Sequence, residues 1–126
     1  MIPVRVQRRR TKGWKTPPNT VYAGRPGEWG NRYVIGESFE HVDGATVTVR
    51  DAAHAVQLWE EWFAYQDRHF HVNRQAQSII GGSNLSCWCA LCPKHAAGKP
   101  FDVECADCAP CHTDPLGRIA NSVVSP

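Results

Sequence analysis

A chain of 126 residues is the length of one domain, and with 42% hydrophobic residues it can bury a modest core that a bound metal would usefully reinforce. No apolar run reaches the roughly 18–20 residues that span a bilayer, and the start MIPVRVQRRR lacks the apolar segment of a secretion signal, so a cytosolic domain without a membrane partner is expected. The net charge of +2 hides a division: residues 1–27 carry seven of the fourteen Lys and Arg and no acid, while all twelve Asp and Glu follow. That basic end is a candidate anion-binding face, with solvated surface as the plain alternative.

In chain order, Pro3 to Arg8 alternates Val4 and Val6 with polar residues, the period of a half-buried strand. Thr16 to Thr20 holds two prolines and an asparagine and reads as a turn, followed by a short strand at Val21-Tyr22-Ala23. Gly24 to Asn31 is a glycine-rich loop; Tyr33 to Ile35 and the β-branched Ala45 to Val49 are further strand candidates. Asp51 is a good N-cap for a helix whose Ala55, Leu58, Trp59, Trp62 and Phe63 share one face opposite Glu60 and Glu61, which makes its tryptophans core. A second helix over Val72 to Ile80 turns Ala76, Ile79 and Ile80 inward and stops at Gly81, and His69 and His71 between the helices are solvated. Asn84 to Trp88 reads as a buried strand and Pro115 to Val123 as a last helix, capped by Asp114 with Pro115 at its first position. The expected fold is α/β, or mixed α+β, in one small domain over residues 1–126, with short strands and two to three helices.

All six cysteines and two of the six histidines lie between Cys87 and Asp114. In a reducing compartment such a cluster points to metal ligands or reactive thiols, and an extracellular disulfide module is the rival reading. Cys87 and Cys89 end the buried strand, whereas Cys111, His112 and Asp114 precede the last helix. The junction of strand end and helix start is where α/β proteins open a crevice, and free N–H groups there attract anions or lower a thiol pKa.

The loop Gly24-Arg25-Pro26-Gly27-Glu28-Trp29-Gly30-Asn31 is the other candidate site. Its glycines allow close backbone approach, Arg25 offers a fork to phosphate or carboxylate, Trp29 can stack, and Asn31 can read a base edge. Trp14 and Tyr22 are interleaved with the basic arm, a pattern that suits stacked bases beside held phosphates. Pro26 packed on Trp29 in a tight loop explains the same residues without a ligand. The loop has no Walker lysine and no dinucleotide fingerprint.

These features together resemble the DUF4326 family. The resemblance is carried by Arg8-Arg9 with Lys12-Gly13-Trp14, Pro18-Asn19 before Val21-Tyr22, Gly24-Arg25-Pro26 with Trp29-Gly30-Asn31, Asn84-Leu85 with Cys87-Trp88-Cys89, Cys111-His112 with Asp114, and Ala120-Asn121. They extend from about residue 4 to 122. Arg32 stands where the family usually has proline, and Pro115 where an aliphatic residue is usual. The resemblance implies an α/β domain common in bacteria and their phages, without an established reaction; with the phage association, tailoring of a modified nucleobase such as a 7-deazaguanine derivative is an expectation.

Shorter family members look as though they pass from the CWC strand to the CH helix through only a few residues, so residues 92–109 are an insert. The insert holds Cys92-x2-His95 and Cys105-x2-Cys108, two paired-ligand turns of the kind that build a tetrahedral Zn2+ knuckle. Cys89-x2-Cys92 with Cys105-x2-Cys108 is an equally good four-cysteine set, and Cys111 or His112 can replace one ligand in a third. With the insert self-contained, Cys89 is expected to join Cys111 and His112, either as a three-ligand site with an open position or as a thiol activated by imidazole, leaving Cys87 as a core thiol. Ordinary buried thiols and a helix-start histidine are the bland reading.

Several chemistries are excluded: there is no His-x-Glu of a zinc deaminase, no His-Glu-x2-His, no Gly-x-Ser-x-Gly and no kinase signature. Two expectations remain. One is a small enzyme that binds a nucleotide, nucleobase or base in nucleic acid through Arg25, Trp29, Asn31 and Trp14 and acts through Cys111, His112 and Cys89. The other is a zinc-stapled module that grips DNA or RNA without catalysis.

Overall fold

The structure is a computed structural model and describes residues 2–122. Its strands are β1 (Val4–Gln7), β2 (Thr20–Tyr22), β3 (Ser38–Glu40), β4 (Thr46–Thr48), β5 (Asn84–Cys87) and β6 (Lys99–Pro100), and its helices α1 (Ala52–Phe70), α2 (Val72–Ile80) and α3 (Thr113–Ala120). The fold is a small mixed α/β arrangement with two sheets and a cysteine/histidine cluster ahead of α3. The main sheet has the order β2-β5-β1-β6; β1, β2 and β5 run parallel and β6 antiparallel to β1, while β3 and β4 form a separate hairpin. Among the described residues no helix is long and apolar enough to cross a membrane.

Register sets the faces of this sheet. Arg5 aligns with Leu85, and Leu85 with Val21, so these three side chains share one face, and Cys87, two residues beyond Leu85, lies on it too. Leu85 joins Trp59, Phe63, Ile80 and Leu116 in the main core. All four residues of β5 are buried, as its central place in a helix-covered parallel sheet requires.

The helices follow their sequence signals with two differences. Asp51 caps α1 by accepting from the His54 N–H at 2.8 Å, and Ala55, Leu58, Trp59 and Phe63 are buried, with Trp62 half-buried against them. α1 ends at His71, whose left-handed backbone (φ 55°) leads directly into α2. On α2, Ala76 and Ile80 face inward four residues apart, but Ile79 is 60% exposed, because it lies about 100° around the helix from Ile80 with nothing packed over it. Gly81 ends α2 where a Cβ would collide with the carbonyls of Gln77 and Ala120, so the close approach of α2 to α3 requires glycine here.

Four local expectations are corrected. Tyr33 to Ile35 forms no strand, since the Tyr33 N–H donates to Asn31 Oδ1 and its carbonyl accepts from Arg25, leaving nothing for a ladder. Trp88 turns outward at 43% exposure rather than extending the buried strand, and Arg8 and Arg10 cover its ring at 5.3 and 4.9 Å. β1 is not half-exposed: Arg5 is fully buried. α3 starts at Thr113 rather than Pro115, with Asp114 in its first turn instead of capping it, and Val123, the expected last residue, lies outside the described residues.

Candidate metal centre and thiol crevice

The insert is built around its ligands. Cys92 precedes a single helical turn, Pro93–His95, in which the His95 N–H bonds the Cys92 carbonyl, so a two-residue spacer brings both side chains to one point. Cys105 and Cys108 approach from a second turn. The Cys92 sulfur lies 3.4 Å from His95 Nδ1 and 3.8 Å from the Cys105 sulfur, and Cys108 lies 3.6 Å from His95 Nδ1. A tetrahedral ion with metal–sulfur bonds near 2.3 Å and metal–nitrogen bonds near 2.0 Å requires sulfur–sulfur edges of about 3.8 Å and sulfur–nitrogen edges of about 3.5 Å. The observed edges agree within about 0.1 Å, so these four residues fit a metal ion.

Backbone amides support the thiolates such an ion needs. The Cys92 N–H donates to the Cys108 sulfur at 3.3 Å, and the backbone N–H of Asp107 pulls the Cys105 thiol below its ordinary value. Burial instead raises the Cys108 thiol. Cys89 does not belong to this group, so the competing four-cysteine combination is not the one the fold gathers.

A second sulfur group forms where β5 ends and α3 begins. Cys87, Cys89 and Cys111 lie within 4.8 Å of one another, with Cys87 and Cys111 3.3 Å apart. Hydrogen bonding with Cys87 and Cys89 holds the Cys111 thiol well below its ordinary value, against its burial, while the same contacts push Cys87 and Cys89 up. Among the three sulfurs these contacts favour negative charge on Cys111. Cys87 takes the place that sequence reasoning gave to His112, because its position on the α3-facing side of the sheet aims its sulfur at Cys111 and Thr113.

His112 stands beside the group instead. Its Nε2 donates to the Trp29 carbonyl at 2.7 Å, which leaves Nδ1 as the free lone pair, 3.9 Å from the Cys111 sulfur. Burial lowers its pKa, so the ring is neutral.

These groups border a cavity of about 250 Å³ that also touches Gly24, Arg25, Asn31 and Tyr33. Arg25 is exposed, and its guanidinium donates to the carbonyls of Asn31 and Tyr33 at 3.3 Å each. Asn31 lines the cavity, yet its amide donates to the Ala55 carbonyl and accepts from the Tyr33 N–H, so both ends are already used. Trp29 and Trp14 do not line it: the Trp29 ring packs against the main core and only its carbonyl serves the site, through His112.

Three contributors were not legible as site residues. Arg5 crosses under the site, donating to Asp114 Oδ2 at 2.9 Å and to the Ala109 carbonyl at 2.7 Å, while Lys99 binds the other Asp114 oxygen at 3.0 Å. The only sequence signal was for Arg5, a cation between two strand valines. Tyr33 borders the cavity with its hydroxyl 3.0 Å from His41 Nδ1, and His41 Nε2 lies 2.8 Å from the exposed Glu61, a chain running from the cavity to the surface with no motif to announce it.

No curated protein and no solved structure matches this sequence significantly. A family model described as a domain of unknown function, DUF4326, matches residues 6–122. With that match spanning nearly the whole chain and including both the arginine loop and every cysteine, the chain belongs to the DUF4326 family.

Proposed function

We propose that this protein is a zinc-stapled domain that binds a nucleobase or nucleotide in its crevice and modifies it at the neighbouring sulfur group. Zinc is the ion of choice for three thiolates and one imidazole at tetrahedral spacing, held by Cys92, His95, Cys105 and Cys108. Bound there, it fills all four positions with protein ligands and supplies folding free energy to the insert. Unpaired thiols in both groups favour a reducing compartment, so the cytosol is part of this reading.

The observation that carries the proposal is the crevice itself, where an arginine fork, a low-pKa thiol and a neutral imidazole border one cavity at the carboxyl end of a parallel sheet. Its volume of about 250 Å³ lies below the roughly 300–1,000 Å³ of drug-sized pockets, which suits a single planar ring better than a dinucleotide. In this reading Arg25 holds a phosphate or carbonyl at the mouth. Cys111 is the nucleophile or proton acceptor, Cys89 shares its charge, and His112 Nδ1 receives a proton inside.

Thermal denaturation of the full chain against a panel of nucleobases, nucleosides and nucleotides, 7-deazaguanine derivatives included, tests it. A ligand at a hundredfold excess over its Kd should raise Tm on the order of 10 °C, and Arg25→Ala should remove most of the shift for phosphate-bearing ligands. A panel without any shift would overturn the proposal.

One surface feature favours a second, non-catalytic reading. Arg8 lies over the rings of both Tyr22 and Trp88, and Arg10 over Trp88, beside the crevice mouth, a stacking platform with cations that suits single-stranded DNA or RNA. That reading is favoured if oligonucleotides bind with a steep salt dependence that Arg8→Ala and Arg10→Ala reduce, while mononucleotides do nothing.

A further inference from the structure

We infer that Cys87, Cys89 and Cys111 hold a second thiophilic divalent ion of the zinc class, with its fourth coordination position open to the crevice. This goes beyond the nucleobase reading and does not depend on it.

The three sulfurs come from two separate parts of the fold, the end of β5 and the approach to α3, so tertiary structure brings them together rather than one pliable loop. Cys87 and Cys111, 3.3 Å apart, are well beyond the roughly 2.05 Å of a disulfide and about 0.5 Å short of a tetrahedral edge, a difference small side-chain rotations can absorb. Among the described residues no carboxylate or imidazole completes the group. His112 Nδ1 lies 3.9 Å from the Cys111 sulfur but not within 4.8 Å of all three sulfurs, so it is not part of the group. Three protein ligands with one free position is the arrangement of reactive zinc sites, whereas the insert's four ligands make a closed one. All three cysteines border the cavity, which gives the free position an outlet.

The charge beneath the sulfurs is compatible with an ion there. Arg5 is fully buried and Lys99 nearly so, and they share the single carboxylate of Asp114, leaving one positive charge over beneath the sulfurs. Arg5 Nε has no hydrogen-bond partner. A divalent ion with three thiolates carries one net negative charge, which neutralises that excess where an unpaired buried cation is costly. A lone Cys111 thiolate would balance the charge equally well; only the number of converging sulfurs distinguishes an ion from it. Loading releases the remaining thiol protons to solvent, with no change of oxidation state.

The test is a metal count on the full chain, reduced and dialysed against excess zinc, with no nucleobase present. Wild type should hold two equivalents, and Cys89→Ala one, with unchanged far-ultraviolet circular dichroism because Cys89 lies at the half-exposed edge of the group. Cobalt loading gives a second readout that needs no variant: added azide should shift the visible bands of half the cobalt, reporting the open position. Wild type saturating at one equivalent, Cys89→Ala retaining two, or cobalt bands indifferent to azide would each overturn the inference. A count of two with no nucleobase effect on Tm would keep the ion and discard the nucleobase reading.

Discussion

Asp114 sits in the first turn of α3, where an acid normally serves the helix, yet its two oxygens go to Arg5 and Lys99. The cations are nearly inaccessible, and the carboxylate they share offsets much of the cost of burying them. Asp114→Asn should therefore destabilise the fold by about 3 kcal/mol or more, read as a lower urea midpoint at unchanged slope. Arg5→Leu combined with Asp114→Leu should recover part of that loss, because it leaves one buried cation, Lys99, without its carboxylate instead of two. A similar commitment explains Asn31: an amide able to read a base in principle is spent on the Ala55 carbonyl and the Tyr33 N–H.

The insert is the element whose folding the sequence most undersold. Its polarity suggests a segment held by an ion alone, but Lys99–Pro100 adds a strand to β1, and Phe101 is buried in the main core. Phe101 lies against Gly117 of α3 so closely that a Cβ there would strike its ring, and Arg118 bonds the Phe101 carbonyl at 2.8 Å. Phe101→Ala should cost about 3–5 kcal/mol of global stability while leaving the insert's metal stoichiometry intact, since its ligands lie on the turns either side. Gly117→Ala should weaken the same docking by forcing the ring aside. Loss of metal along with loss of Phe101 would mean that the apolar anchor, rather than the turns, positions the ligands.

For the molecule as a whole, sheet and ion are separable supports. The main core draws on α1, α2, α3 and β5, with Phe101 alone from the insert, while Leu91, Cys92 and Cys108 form a small cluster of their own. Chelation should therefore raise amide hydrogen exchange across residues 92–109 first and leave β5 and α1 protected, with a lower Tm. Exchange rising uniformly through the chain would show one cooperative unit that the ion holds together.

Elements with a strong local signal were legible without coordinates. The apolar period of α1 with its Asp51 cap, the bounds of α2, the buried run at β5 and the two paired-ligand turns each express a preference set within a few residues of chain. β3 and β6, three and two residues long, carry too little pattern to read, and Tyr33 to Ile35 lost its strand to side chains that took its backbone bonds. Which sulfurs meet across the sheet was decided by tertiary structure. Spacing along the chain fixes distances only within a turn, whereas the meeting of Cys87 with Cys111, and of Arg5 with Asp114, depends on how a strand end, an added strand and a helix start pack across the sheet.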